Sequence, residues 1–168
     1  WIKTNLPGQD YFAPFLGVYY YVINQEKAPF DNADVRKALS MALDRDFISR
    51  IRGGATPSYQ FVPPNMPNYP VGGRLSFADT PVAERKQEAR KLLEEAGFGP
   101  NKPLEFTFSF RNSRDNPRIA VVAQSDWQSI APWVKVALRS SEVQIHYANM
   151  RAKSYDVGDG GWVGDYPD

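Results

Sequence analysis

The residues most able to do chemistry crowd the end of the chain: Asp156, Asp159, Asp165 and Asp168, with Trp162 set among Gly158, Gly160, Gly161 and Gly164. Clustered carboxylates can bind a hard cation, share acid and base roles, or face a cationic ligand. The spacing here matches no calcium loop and lacks the closing glutamate that such a loop uses. A carboxylate pair for glycoside hydrolysis fits on paper, as it would for any acidic cluster. The only histidine is His146, between Ile145 and Tyr147, and there is no cysteine. A lone histidine on an amphipathic segment reads as a surface or interface residue, and a zinc site would have to rely on carboxylates. Arg111, Arg114 and Arg118 form a small basic cluster around a turn, which reads as a solvated loop before a helix. Gly53-Gly54, Gly72-Gly73 and the glycines from Gly158 lack the strand–turn–helix setting and the following Lys-Ser/Thr of a phosphate loop. The chemistry therefore favours binding over catalysis, and no cofactor is expected.

Composition agrees. Twenty basic and 19 acidic side chains leave a formal charge of +1, so no bulk field attracts nucleic acid or an anionic membrane. No apolar run approaches the roughly 18 residues of a membrane span. A basic start followed by an apolar stretch does not follow Trp1, so no signal peptide is expected within this sequence. A length of 168 residues suits one domain. The 14 prolines and nine tyrosines suggest proline-rich loops and a surface both apolar and wet.

The elements that must carry these residues can be read in order. Phe15 to Asn24 is β-branched and aromatic, which predicts a strand covered on both faces. Val35, Ala38, Leu39, Ala42 and Leu43 recur at helical spacing, with Asp31, Asn32 or Asp34 as cap. Asp44 should cap a second helix that Gly53 and Gly54 end. The proline-rich stretch from Thr56 to Thr80 reads as a loop pinned by Tyr59, Phe61 and Tyr69. Thr80 should cap a helix with Pro81 in its first position, and Val82, Ala89, Leu92, Leu93 and Ala96 as its inward stripe. Leu104 to Phe110 alternates as a half-buried strand, and Pro117 opens a helix with Ile119, Val122, Ala123, Trp127 and Ile130 inward. A strand over Trp133 to Leu138, a short helix from Ser141 or Glu142, and a strand over Tyr155 to Trp162 complete the order. Strands separated by helices imply crossover connections and a mixed α/β sheet with flanking helices.

Several stretches in one order carry a resemblance. YYYVINQEKAPFDNADVRKALSMALDRDFI, the VPP of Val62 to Pro64, EARKLLEEAGF, AVVAQSDWQSI and YDVGDGGWVGDYPD together resemble the bacterial extracellular solute-binding proteins, family 5, of peptide ABC importers. The resemblance covers nearly the whole chain and is most similar to the oligopeptide-binding members. It implies the second lobe of a type II clamshell over residues 1–168, with the first lobe and the return across the hinge lying outside this sequence. By that resemblance, Trp162 and Asp165 line a peptide cleft and Asp165 holds the ligand's amino-terminal ammonium; Gly160, Gly161 and Gly164 would let ligand backbone approach, and Val163 belongs to the same ligand-binding stretch.

The resemblance also implies partners: a peptide ligand, the transmembrane subunits of a permease, and a periplasmic or membrane-anchored setting outside the cell. A lobe standing alone would expose its cleft face and could self-associate. Two departures fall near the cleft. Val143 follows Glu142 where oligopeptide-binding members tend to carry tryptophan, and Asp159 stands where some carry a basic residue. Because the family also includes binders of metal chelates, haem and cell-wall peptides, a chelate or other small organic ligand is the alternative. An enzyme using the terminal acidic cluster is the remote one.

Overall fold

The computed structural model describes residues 2–9, 15–63, 66 and 73–165. After a single helical turn, α1 (Ile2–Asn5), the elements are β1 (Gly17–Ile23), α2 (Ala33–Ala42), α3 (Arg45–Arg52), α4 (Val82–Glu95), β2 (Leu104–Arg111), α5 (Asn116–Gln128), β3 (Val134–Ser141), α6 (Val143–Arg151) and β4 (Val157–Val163). The strands form one sheet in the order β1-β4-β2-β3. β1 runs antiparallel to β4, and β2 is parallel to both β3 and β4. The expected mixed α/β sheet is what the chain builds.

The core lies between the sheet and the helices α2, α4 and α5. Trp127 on α5 packs edge-on against Phe106 and Phe108 of β2, with ring centroids 5.4 and 5.1 Å apart, and its indole N–H donates to the Leu39 carbonyl at 3.0 Å. That bond satisfies the polar tip of an otherwise apolar side chain. Val35, Ala38, Leu39, Ala42 and Leu43 are all buried, so the helical spacing read from α2 marks its core face. The helix starts where Asn32 accepts from the Asp34 amide, and α3 starts where Asp44 accepts from the Phe47 amide. Gly53, at φ 64°, ends α3 in a backbone region where a side chain would be strained. Asp126 joins three elements, accepting from the Asp44 amide at 2.9 Å and from Lys86 at 2.8 Å.

Four expectations need correction. Pro81 occupies the cap of α4 with no side-chain hydrogen bond, so Thr80 does not cap it. Proline's fixed φ suits either position, and the chain enters the helix one residue later than the sequence suggested. β1 is half-buried along its whole length because it is an edge strand, not one covered on both faces. The inward stripe of α4 includes Arg85, which is 1% exposed, while Val82 and Ala96 are only half-buried. Among the described residues, two of the Arg85 guanidinium nitrogens lack a hydrogen-bond partner. Its charge lies over the rings of Tyr59 and Phe77, 5.4 and 5.9 Å from their centroids, and Arg45 shares the same rings at 4.9 and 5.7 Å. Cation–π attraction thus replaces an acidic partner. Finally, Tyr59 does pin the proline-rich loop, but Phe61 is 64% exposed and rests on Tyr20 at 5.2 Å between centroids. Tyr69 lies outside the described residues.

Candidate ligand site at the sheet's switch point

The connections fix where a site can form. The chain runs from β2 through α5 to β3 on one side, then returns through α6 past β2 to β4 on the other. The two crossovers leave their helices on opposite faces. Trp127 of α5 covers Phe108, whose register partner is Val157, whereas a side chain on the next residue, Gly158, would run into Met150 of α6. Where the winding direction reverses, neighbouring strands part beyond their carboxyl ends and leave a crevice. Here that point lies between β2 and β4.

Asp159 and Arg111 occupy it. The register between β2 and β4 runs through Phe108↔Val157 and Ser109↔Gly158. One residue farther along, the Asp159 carboxylate takes over from the ladder, accepting the Arg111 amide on Oδ1 at 3.0 Å. Its Oδ2 accepts from Nε and Nη2 of the same arginine at 3.0 and 2.8 Å, and Arg111 Nη1 donates to the Tyr147 hydroxyl at 2.8 Å. His146 Nε2 lies 2.8 Å from the Asp159 carbonyl and 3.2 Å from Oδ1. Because a carbonyl can only accept, Nε2 carries the ring proton.

The carboxylate is fully buried, whereas the guanidinium retains 17% of its surface. Burial alone would lower the Arg111 pKa, but the hydrogen-bonded Asp159 charge outweighs it and raises it. Tyr19 lies beside this pair, with the Arg52 guanidinium 4.1 Å over its ring. Burial, reinforced by the Asp159 charge, pushes the Tyr19 phenol well above its ordinary range, so it stays neutral.

The terminal acids therefore have separate fates. Asp156 pairs with Lys27 and accepts the Thr107 amide at 2.9 Å. Asp159 is consumed by Arg111 and His146. Asp165 is exposed, and Asp168 lies outside the described residues. Among the described residues no three metal-ligating side chains gather, so the acidic cluster is not a cation site there. His146, expected at a surface or interface, is 1% exposed. The basic cluster also disperses: Arg111 turns inward, while Arg114 is exposed and Arg118 pairs with Asp115 at 3.4 Å on the surface.

Trp162 is the next-to-last residue of β4, and Asp165 lies two residues beyond its carboxyl end. Trp162 is 62% exposed and Val163 55%, and no hydrogen bond or ion pair engages the Asp165 carboxylate among the described residues. Of the glycines before them, Gly160 makes room for one of this chain's own side chains, whereas Gly161 is only in ordinary contact with its neighbours. A Cβ on Gly160 would come within 2.7 Å of the Tyr20 ring, and one on Gly161 would lie 3.9 Å from Arg111 Nη2 and 3.5 Å from the Val18 carbonyl. Tyr20 fills the space at Gly160, and Phe61 extends that aromatic surface. Sequence reasoning missed Arg111, His146 and Tyr147 as one network, because their contacts join β2, α6 and β4 across the fold.

Residues 2–168 match the family model described as bacterial extracellular solute-binding proteins, family 5 Middle. The chain is 36% identical to the periplasmic oligopeptide-binding protein OppA of Haemophilus influenzae, over 98% of this chain and 31% of that protein. It is 34% identical to the periplasmic murein peptide-binding protein MppA of Escherichia coli, over 98% of this chain and 31% of that protein. The chain thus spans about a third of the length of the relatives it matches. The structure of H. influenzae OppA in complex with RPPGFSPFR superposes with a TM-score of 0.86 at 35% identity, over 99% of this chain and 33% of that one. The unliganded open form of MppA superposes with a TM-score of 0.91 at 31% identity, over 99% and 32% of the two chains. Sequence and fold agree: the chain belongs to the bacterial extracellular solute-binding proteins, family 5.

Proposed function

We propose that this chain is the second lobe of a peptide-binding protein that serves an ABC importer in the periplasm, and that it acts as a receptor and not an enzyme. The observation that carries this reading is the placement of an exposed Trp162 and an exposed Asp165, whose carboxylate no described residue engages, at the carboxyl end of β4. An exposed indole near an exposed carboxylate suits a ligand with an apolar stem and an ammonium end. The carboxylate accepts the ammonium hydrogens, and the ring packs on the adjoining chain. Closure of another lobe over the bound ligand would remove both charges from water and strengthen their attraction, at a desolvation cost that only a well-matched pair offsets. Such recognition fixes the end of a peptide while leaving its side chains in wetter surroundings. The relatives named for oligopeptide and murein peptide binding support the peptide class. A permease would then receive the ligand when the lobes reopen, a hinge motion of the kind common to such receptors.

A second reading keeps the fold and changes the ligand to a chelate or other small organic molecule. It is favoured by 32% identity to the heme-binding protein A of H. influenzae, over 91% of this chain and 27% of that protein. Mass spectrometry of the ligand that copurifies with the two-lobed protein separates the two. A ladder of peptide masses supports the first reading, and a single organic or metal-bearing species overturns it.

A further inference from the structure

The helix α6 is seated on the sheet by a polar anchor. Of its nine residues only His146 is buried, while the apolar Val143 and Ile145 are exposed. Apolar packing has no direction, whereas a hydrogen bond fixes one. His146 Nε2 donates to the Asp159 carbonyl at 2.8 Å, and the next residue, Tyr147, accepts from Arg111 at the same distance. Two successive residues of α6 thus grip both members of the buried ion pair.

Asp159 is also where β4 loses a neighbour. The β2–β4 ladder ends at Ser109↔Gly158, and from there β4 keeps only β1 beside it among the described strands. Every second residue of β4 bonds toward β1, as the Asn24 N–H to the Asp156 carbonyl and the Gly164 N–H to the Leu16 carbonyl mark at the two ends, each at 2.9 Å. Asp159 falls between those residues, so its carbonyl points to the side that β2 has left. His146 supplies there the donor that a longer β2 would have given. Gly160 and Gly161 follow, and glycine restrains its own backbone least. Trp162 and Asp165 come three and six residues after Asp159.

We propose that His146 is a positioning residue for the ligand site: by holding the Asp159 carbonyl, it fixes the end of β4 in the orientation that Trp162 and Asp165 need. This deepens the peptide reading and rests on it. Groups already in place bind a ligand without the entropic cost of being ordered. Loss of the bond leaves a buried carbonyl unsatisfied and lets the glycine-rich end of β4 sample other orientations. His146 touches no ligand in this account and acts only through the strand.

The test is calorimetry on the two-lobed protein with tri-, tetra- and pentaalanine, beside a melting curve for each unliganded variant. His146→Gln places an amide N–H at the reach of Nε2, whereas His146→Asn stops one bond short and His146→Leu offers no donor. His146→Gln should bind within about threefold of wild type, and the other two roughly tenfold more weakly. A lower melting temperature does not by itself change the affinity of a protein that is still folded, so this order separates positioning from stability. His146→Asn keeps a small polar side chain, and its comparison with His146→Gln decides the matter even where His146→Leu does not fold. Wild-type affinity in His146→Asn or in folded His146→Leu overturns this proposal alone, as does a His146→Gln variant that binds as weakly as His146→Asn. A wild-type protein that binds none of the three peptides overturns the peptide reading, and this proposal with it.

Discussion

Arg111 binds one carboxylate three times over, since Asp159 accepts its backbone N–H and both its Nε and Nη2 groups at 2.8 to 3.0 Å. The pair thereby closes the end of the sheet where the β2–β4 ladder stops. Replacing Asp159 with Asn keeps the shape and removes the charge, which leaves a partly buried guanidinium without its counter-ion. Breaking a buried pair from one side costs several kcal/mol, and the residual exposure of Arg111 puts the expected loss at about 3 kcal/mol. Urea denaturation of wild type and Asp159→Asn measures it; coincident curves would show that the pair contributes nothing.

Two phenols give the fold an alkaline limit. Burial raises the pKa of Tyr21 well above its ordinary value, and burial with the Asp159 charge does the same for Tyr19. Below about pH 10 the folded and unfolded chains both keep these protons, and the stabilising contribution is complete. Above it the unfolded chain releases them while the folded chain holds on, so stability falls as pH rises toward the folded values. The urea midpoint should decline between about pH 10 and 11.5, and Tyr19→Phe should make the decline shallower. A flat midpoint in wild type would contradict the burial of these rings.

Two glycines of β4 should respond differently to the same substitution. A Cβ at Gly158 meets the flexible Met150 thioether, with Sδ at 2.5 Å, whereas one at Gly160 meets the Tyr20 ring at 2.7 Å. Met150 can change rotamer, so Gly158→Ala should cost less than about 1 kcal/mol. Tyr20 is wedged between Gly160 and Phe61, and overpacking there should cost about 1–3 kcal/mol. Thermal melts of the two variants test the order, and the reverse order would refute the placement of Tyr20.

Ser109 offers a stabilising change. Its hydroxyl is buried on β2 with no hydrogen-bond partner among the described residues. Ser109→Ala removes that unsatisfied group with almost no loss of volume, and should raise stability by about 1 kcal/mol. A lower melting temperature would mean that the hydroxyl is bonded after all.

How much of this was legible in the sequence follows from what local pattern can encode. The caps at Asn32 and Asp44 and the glycine stop at Gly53 act within a few residues, so they read directly from the chain. The core stripe of α2 reads from its period for the same reason, and that of α5 does so at Ile119, Ala123 and Trp127, whereas Val122 is only half-buried and Ile130 lies past the end of the helix. Asn24 shows the limit. Its place at the end of a strand was clear, but not that its side-chain amide spans to the carbonyls of Lys153 and Tyr155, each at 3.1 Å. Arg85 and His146 defeated the reading because charged and polar side chains default to the surface. Their burial depends on two aromatic rings and on a carboxylate distant in sequence. Trp162 and Asp165 were legible only through resemblance, since nothing in Gly-Trp-x-x-Asp distinguishes a ligand wall from a frayed turn. The position of β4 at the winding reversal, unknowable from the strand itself, supplies a physical reason for a site there.

The peptide reading stands or falls on Asp165. Calorimetry on the two-lobed protein with one peptide sequence, bearing either a free or an acetylated amino terminus, measures the ammonium's contribution directly. Acetylation should weaken binding by roughly thirtyfold or more, as loss of an enclosed charge pair demands, and Asp165→Asn should erase the difference. Equal affinity of the wild-type protein for both peptides would contradict the assignment of Asp165 as the ammonium anchor.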